Sequence, residues 1–260
     1  MTQKRQKTLF LAWQDKRGKS RPWFPLGRLD IEPTFYRFRY TGGAARAQQE
    51  LKYPPLPSFP QLHRDYRSSA LFYLFQNRVM KPNRPDFADH VQRLDLPENA
   101  DPFEMLSVSG GYRVTDDYEV FPKLVKAKDG SFVCRFFLHG WRHTSLPAQE
   151  RLNALKPGEE LYVALELANP VTNLAVQLQT TDYHMIGWTP RYIVSEMARA
   201  MTEAPLSACN AQAGGNYTAH VVKVNPPPSP MTQRVLIEMR GWWDGYEPME
   251  SEDFRPLIGD

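Results

Sequence analysis

Cysteine is nearly absent from this chain, with 2 among 260 residues, Cys134 and Cys209. Two isolated thiols, with no CxxC, make neither a disulfide framework nor a zinc site, and they suit a reducing compartment. Long hydrophobic runs are missing as well. Nothing approaches the roughly 18 uninterrupted apolar residues that a membrane helix needs. Near the N-terminus, Leu9 to Trp13 is an apolar run of five residues, too short for the core of a secretory signal. These absences lead to the expectation of a cytoplasmic protein without a membrane partner. Catalytic signatures are equally sparse. There is no P-loop, no GxSxG and no GxGxxG, and the six histidines form no HxH or HExxH. Asp116-Asp117 and Glu159-Glu160 are adjacent carboxylates, but neighbours on a strand face opposite ways, which defeats a shared metal. Solvated turns are the simpler reading. No catalytic residue, metal ligand or cofactor is expected, and the chain reads as non-enzymatic.

What is present is aromatic residues, proline and an uneven charge. The net charge of +3 conceals an N-terminal excess: residues 1–84 carry 17 Lys/Arg against 5 Asp/Glu, while residues 131–260 carry 10 against 14. Asymmetry of this size points to an anionic partner for the first third, to an acidic patch elsewhere in the same protein, or simply to a solvated basic surface. At 260 residues the chain suits one large or two small domains.

The first third reads as strands and turns. Leu9 to Trp13 is followed by a polar turn at Lys16 to Ser20, then by Trp23 to Leu29 and Phe35 to Tyr40. In the last of these, Tyr36, Phe38 and Tyr40 share one face and Arg37 and Arg39 the other. Two readings stand. Rings and guanidiniums together make a nucleic-acid platform, with bases stacking and phosphates paired; alternatively the rings enter a core and the arginines enter water. Four prolines between Pro54 and Pro60 enforce an extended segment. Helical spacing returns at Ser68 to Phe75, behind a serine cap, and at Arg84 to Leu94. Asp101-Pro102 opens a short helix through Leu106, and Tyr118 to Phe121 is extended.

After the charged linker at Lys123 to Gly130, Phe132 to Leu138 is a strand, Gln149 to Leu155 a helical turn or two, and Leu161 to Leu167 and Leu174 to Leu178 are strands joined at Asn169-Pro170. Tyr192 to Thr202 reads as helix, and Tyr217 to Val224 and Arg234 to Met239 as strands. Three pieces recur here in a fixed order: Gly140-Trp141-Arg142, Glu166 to Asn169-Pro170, and Gly187-Trp188-Thr189-Pro190-Arg191.

At these spacings the three pieces resemble the HIRAN domain, a small β-barrel whose members in repair factors grip single-stranded DNA ends. The resemblance implies that Arg142-His143 meets phosphate and stacks on a base, and that Asn169 contacts the terminal sugar. In that family the turn is usually followed by an aromatic-Asp pair, whereas this chain has Val171-Thr172. The departure removes a stacking surface, about 1–3 kcal/mol per base, and an acceptor for a 3′-hydroxyl. A simpler role for Asn169-Pro170 is to build the turn itself. Arg191 in the first turn of a helix suits an anion, and Trp188 suits either the ligand or the core.

More loosely, the order of elements over residues 8–122 resembles the N-terminal subdomain of HipA-type toxin kinases, without the kinase's ATP-binding loop or metal-binding aspartates. The expected fold class is α+β: an N-terminal α+β domain over 1–125, a HIRAN-like small β-barrel with flanking helices over 131–241, and an acidic, proline-containing tail over 242–260. The expected function is non-enzymatic binding of single-stranded DNA or DNA ends, in a setting such as DNA repair or phage defence. Candidate contacts are Arg142, His143, Asn169, Thr172, Trp188, Arg191, Arg37 and Arg39. The alternative is an antitoxin-like interaction module that docks on a HipA-type kinase or another protein encoded nearby.

Overall fold

The computed structural model describes residues 7–17, 21–203, 217–243 and 245–259; Cys209 and the tip of the turn at 18–20 lie outside them. The chain is α+β and divides into two compact units, the first built from residues 1–88, 98–123 and 249–260, the second from 89–97 and 124–248. The expected tail at 242–260 is therefore not one piece: residues 242–248 go with the second unit and 249–260 with the first. Among the described residues no helix is long and apolar enough to cross a membrane.

The first unit holds an antiparallel sheet of β1 (Lys7–Gln14), β2 (Trp23–Ile31), β3 (Tyr36–Tyr40), β4 (Tyr66–Ser68) and β5 (Tyr118–Pro122), in the order β4-β3-β2-β1-β5. The unbroken apolar run in β1 reflects burial on both faces. Leu9 and Leu11 enter a core with Leu26, Leu29, Phe38 and Phe75. Phe10, pointing the other way, meets Phe121 at 5.8 Å and Phe254 at 4.9 Å. Phe254 belongs to residues 249–260, and their return is explained by that second apolar face. The returning segment is held by backbone bonds from Gly42 to the Arg255 carbonyl and from Leu257 to the Tyr40 carbonyl, and by a two-pronged Arg46–Asp253 ion pair at 3.0 and 2.8 Å.

Helix α1 (Gly42–Leu51), a stretch for which the sequence reading gave no element, opens on two adjacent glycines. The glycines answer to close packing: a side chain at Gly42 would run into the Glu252 backbone. Where a helix was expected from Ser68, the residue instead ends β4 and its hydroxyl takes the Ala70 N–H at 3.1 Å. Only a single turn follows, α2 (Tyr73–Gln76). The helices α3 (Phe87–Arg93) and α4 (Pro102–Ser109) fall where the spacing puts them. Asp101 caps α4 in a reciprocal box with Glu104, at 2.9 and 2.8 Å.

In the second unit β6 (Ser131–Phe137), a 3-10 turn (Trp141–His143) and α5 (Leu146–Asn153) lead to β7 (Glu160–Asn169), β8 (Asn173–Thr180) and β9 (Met185–Trp188); α6 (Arg191–Glu203), β10 (Tyr217–Val224) and β11 (Val235–Trp242) complete it. The sheet order is β6-β11-β10-β7-β8-β9. Its two outer strands approach each other at one place, where His139, just beyond β6, and Trp188 exchange two backbone hydrogen bonds of 2.9 Å. The closure expected of a barrel is reduced to this bridged pair, with no continuous ladder between β6 and β9. Inward residues of the sheet, such as Phe136, Val176, Leu178, Val221 and Ile237, are buried together with Ile186 and Ile193.

Candidate functional site

The three motif pieces come together at the bridge between the outer strands. Gly140 follows it with φ +66°, a left-handed backbone, and a Cβ there would stand 2.5 Å from Cε3 of Trp188. Backbone conformation and the ring packed on its Cα both demand glycine. The Trp188 indole Nε1 donates to Glu166 Oε2 at 2.6 Å, and the same oxygen accepts Nδ2 of Asn169 at 3.1 Å. Gly140, Trp188, Glu166 and Asn169 thus form an unbroken chain of contacts from the end of β6 to the end of β7. Glu166 was not singled out from sequence, although it opens the second motif piece. Its role depends on a cross-strand register that no local pattern reveals.

Asn169 is buried and committed to the turn. Its Oδ1 accepts the backbone N–H groups of Val171 and Thr172, each at 3.0 Å, and the Thr172 hydroxyl lies 3.0 Å from it and 2.9 Å from the Leu174 carbonyl. These bonds build the β7–β8 connection, the simpler of the two roles read for Asn169-Pro170. Val171, in place of the family's aromatic residue, is exposed.

Arg142 and His143 are exposed, on a well-anchored turn. Trp141 fixes it by donating its indole N–H to the Met231 carbonyl at 2.9 Å. Thr144 Oγ1 donates to the Trp141 carbonyl at 2.7 Å, and Gln149 Nε2 to those of Thr144 and Arg142 at 2.9 and 3.3 Å. The Arg142 guanidinium lies 3.9 Å from the Met231 sulfur and has no acidic partner among the described residues. Arg191, half-buried, opens α6 immediately after β9 and Pro190.

Arg37 and Arg39 belong to the first unit and do not form a phosphate-facing stripe. Arg37 Nε is bound to Asp65 at 3.0 Å, and Arg39, buried, has Nη2 on Asp30 at 2.9 Å. Asp30, itself fully buried, also accepts from Thr8 and Arg28. A phosphate would have to displace these carboxylates. Tyr36, Phe38 and Tyr40 meanwhile enter or line the core, as one of the two readings held, but Arg39, which that reading put in water, is buried against Asp30. Part of the basic excess of residues 1–84 is likewise met within the protein. Lys7 pairs with Asp101, Lys16 with Asp117, Arg78 with Asp116 and Arg46 with Asp253. By unit the balance is 20 Lys/Arg against 16 Asp/Glu in the first and 12 against 13 in the second.

Buried Cys134 has its thiol pushed far up by loss of solvent, so it remains protonated and inert. Among the described residues no group of three or more His, Cys, Asp or Glu side chains could hold a metal ion. What the site offers chemically is one exposed guanidinium and one exposed imidazole on a rigid turn, a half-buried indole, and apolar side chains around them.

No family model and no curated protein matches the chain. Among solved structures, a crystal structure of a protein from Lactobacillus plantarum, a structural genomics target, is similar over 44% of this chain and 100% of that chain, at 14% identity and a TM-score of 0.31.

Proposed function

We propose that this protein binds single-stranded nucleic acid, or the end of a strand, through its second unit and without catalysis, as the HIRAN resemblance implies. The supporting observation is Arg142: an exposed guanidinium without an acidic partner, on a turn pinned by Trp141 and adjoining the Gly140–Trp188 contact. Phosphate would meet Arg142, and a base would stack at His143, at a stacking strength of about 1–3 kcal/mol per base. With the acids of the second unit slightly outnumbering its bases, non-specific attraction contributes little and affinity is modest. Recognition of a free 3′-hydroxyl is not part of the proposal, since Val171-Thr172 supplies neither the ring nor the carboxylate.

The deciding measurement is fluorescence anisotropy with labelled single-stranded, duplex and 3′-overhang DNA at two salt concentrations. Preference for single strands or ends, weakened by salt and by Arg142→Ala, supports the reading. Binding that ignores both, or none at low salt, refutes it.

A second reading has its own observation. Leu146 and Leu167 are 74% and 75% exposed and Met231 56%, an apolar display suited to a protein partner such as a HipA-type kinase. That reading requires a stoichiometric complex on co-purification, and nucleic-acid affinity absent at low salt.

A further inference from the structure

Trp13, near the end of β1, packs against the core that holds Leu9 and Leu11, yet it is only half-buried. Its ring stacks on Phe24 at 5.9 Å and tilts against Tyr53 at 4.3 Å. Tyr53 is fixed in turn by a hydrogen bond between its hydroxyl and that of Tyr118, and burial pushes both phenols up, so both are neutral. In front of these rings lies a cleft of about 450 Å³, within the size range of small-molecule sites. The β1–β2 hairpin bounds one side, and the end of α1 with the residues that follow it bounds the other.

The floor is apolar, formed by Trp13, Leu51, Tyr53 and Pro54, and the rim carries three cations, Lys16, Arg17 and Lys52. Two carboxylates share the rim, and both are engaged: Asp15 by Arg17 at 2.8 and 3.0 Å, Asp117 by Lys16 at 2.7 Å. Lys52 is exposed and has no partner among the described residues. It caps α1 in the left-handed conformation, φ +55°, its own N–H and that of Tyr53 occupying the last helix carbonyls. The Arg17 guanidinium hangs 5.9 Å from the centroid of the Trp13 ring.

We propose that this cleft binds a nucleoside monophosphate unit, with its base on the Trp13–Tyr53 floor and its phosphate at Lys52. A neutral apolar ligand would leave Lys52 unanswered, a bare anion would leave the rings unused, and a cation would face a net positive rim. An aromatic ring carrying a phosphate satisfies both parts. The site lies wholly in the first unit and does not rest on the function proposed for the second. The unit can be supplied as a free nucleotide or as one residue of a strand.

Isothermal titration of the full chain with AMP, adenosine, inorganic phosphate and a pentanucleotide tests it. AMP is expected to bind about tenfold more tightly than adenosine or phosphate alone. Lys52→Asn, which tolerates the left-handed backbone, should weaken AMP by about fivefold. Lys81→Ala, at an exposed lysine of the same unit that does not line the cleft, should leave AMP binding unchanged. A pentanucleotide that binds more tightly than AMP with the same loss on Lys52→Asn identifies a strand as the source; AMP equal or tighter identifies the free nucleotide. The proposal is overturned if AMP binds no better than phosphate, or if Lys52→Asn binds AMP as the parent does.

Discussion

Trp188 on β9 and Glu166 on β7 are joined by a 2.6 Å hydrogen bond that passes over the intervening strand β8. The bond links two motif pieces and places a carboxylate at the edge of the ring, where the indole N–H points. Truncation by Glu166→Ala strands the indole N–H and the Asn169 amide, and should cost about 1–3 kcal/mol in urea unfolding. Glu166→Gln keeps an acceptor and should cost less. It also removes a negative charge near the proposed strand path, so single-stranded DNA should bind at least as tightly. Weaker binding by Glu166→Gln would mean that the carboxylate itself holds the ligand.

Gly140→Ala places a methyl group against the Trp188 ring at a backbone angle that alanine resists. A loss of about 2–4 kcal/mol is expected, of which the left-handed backbone accounts for about 1 and overpacking for the rest. Replacing Trp188 by Leu in the same chain should relieve the overpacking, giving a coupling of about 1 kcal/mol or more in a double-mutant cycle. Strict additivity would show that the ring and the glycine do not bear on each other.

Salt dependence separates the arginines. Arg142→Ala should lower the slope of log affinity against log salt by about 1, because one phosphate contact is lost. Arg37→Ala, whose guanidinium already belongs to Asp65, should leave the slope unaltered. Equal changes from the two variants would contradict the assignment of Arg37 to the interior balance of the first unit.

Acid should act on the ion pair that ties α5 to the β8–β9 connection. Arg151 holds the Asp182 carboxyl well below the usual carboxylate range, at about 2. A group depressed in the folded state stabilises it above the unfolded carboxylate value, and the contribution is lost as pH falls toward the folded one. Stability should therefore decline between about pH 4 and pH 2 and be insensitive to this group at neutral pH. Asp182→Asn should flatten that part of the acid profile; an unchanged profile would remove Asp182 from the account.

Strands were the most legible part of this chain. Tyr217–Val224 was read to the residue, and the apolar run at Leu9 to Trp13 identified β1. The Asp101 cap was equally plain, because a cap is a local arrangement of side chain and nearby N–H groups. Distance along the chain hid the rest. The glycines that open α1 are explained only by Glu252 and Pro25, far away in sequence. Leu71 and Phe75 do enter the core, as their spacing suggested, but Ser68 is drawn into a strand and the helix shrinks to one turn. The basic excess left an outside anion, an acidic patch elsewhere in the protein and a solvated surface all open, because the partners lie far along the chain, 94 residues on for Lys7 and 207 for Arg46. At the site, Gly140 and Trp188 were visible as motif letters. Glu166 needed the pairing of β7, β8 and β9 before it could be seen to join them.

The segment that returns to cover Phe10, Trp23 and Phe121 also sets an order of events during translation. Every residue of the second unit lies between 89 and 248, whereas the first draws on residues 249–260. As the chain leaves the ribosome, the second unit has all its parts while the earlier-made sheet still lacks Phe254 and the Asp253 partner of Arg46. The portion synthesised first is completed last, and until then one aromatic face of its sheet is uncovered.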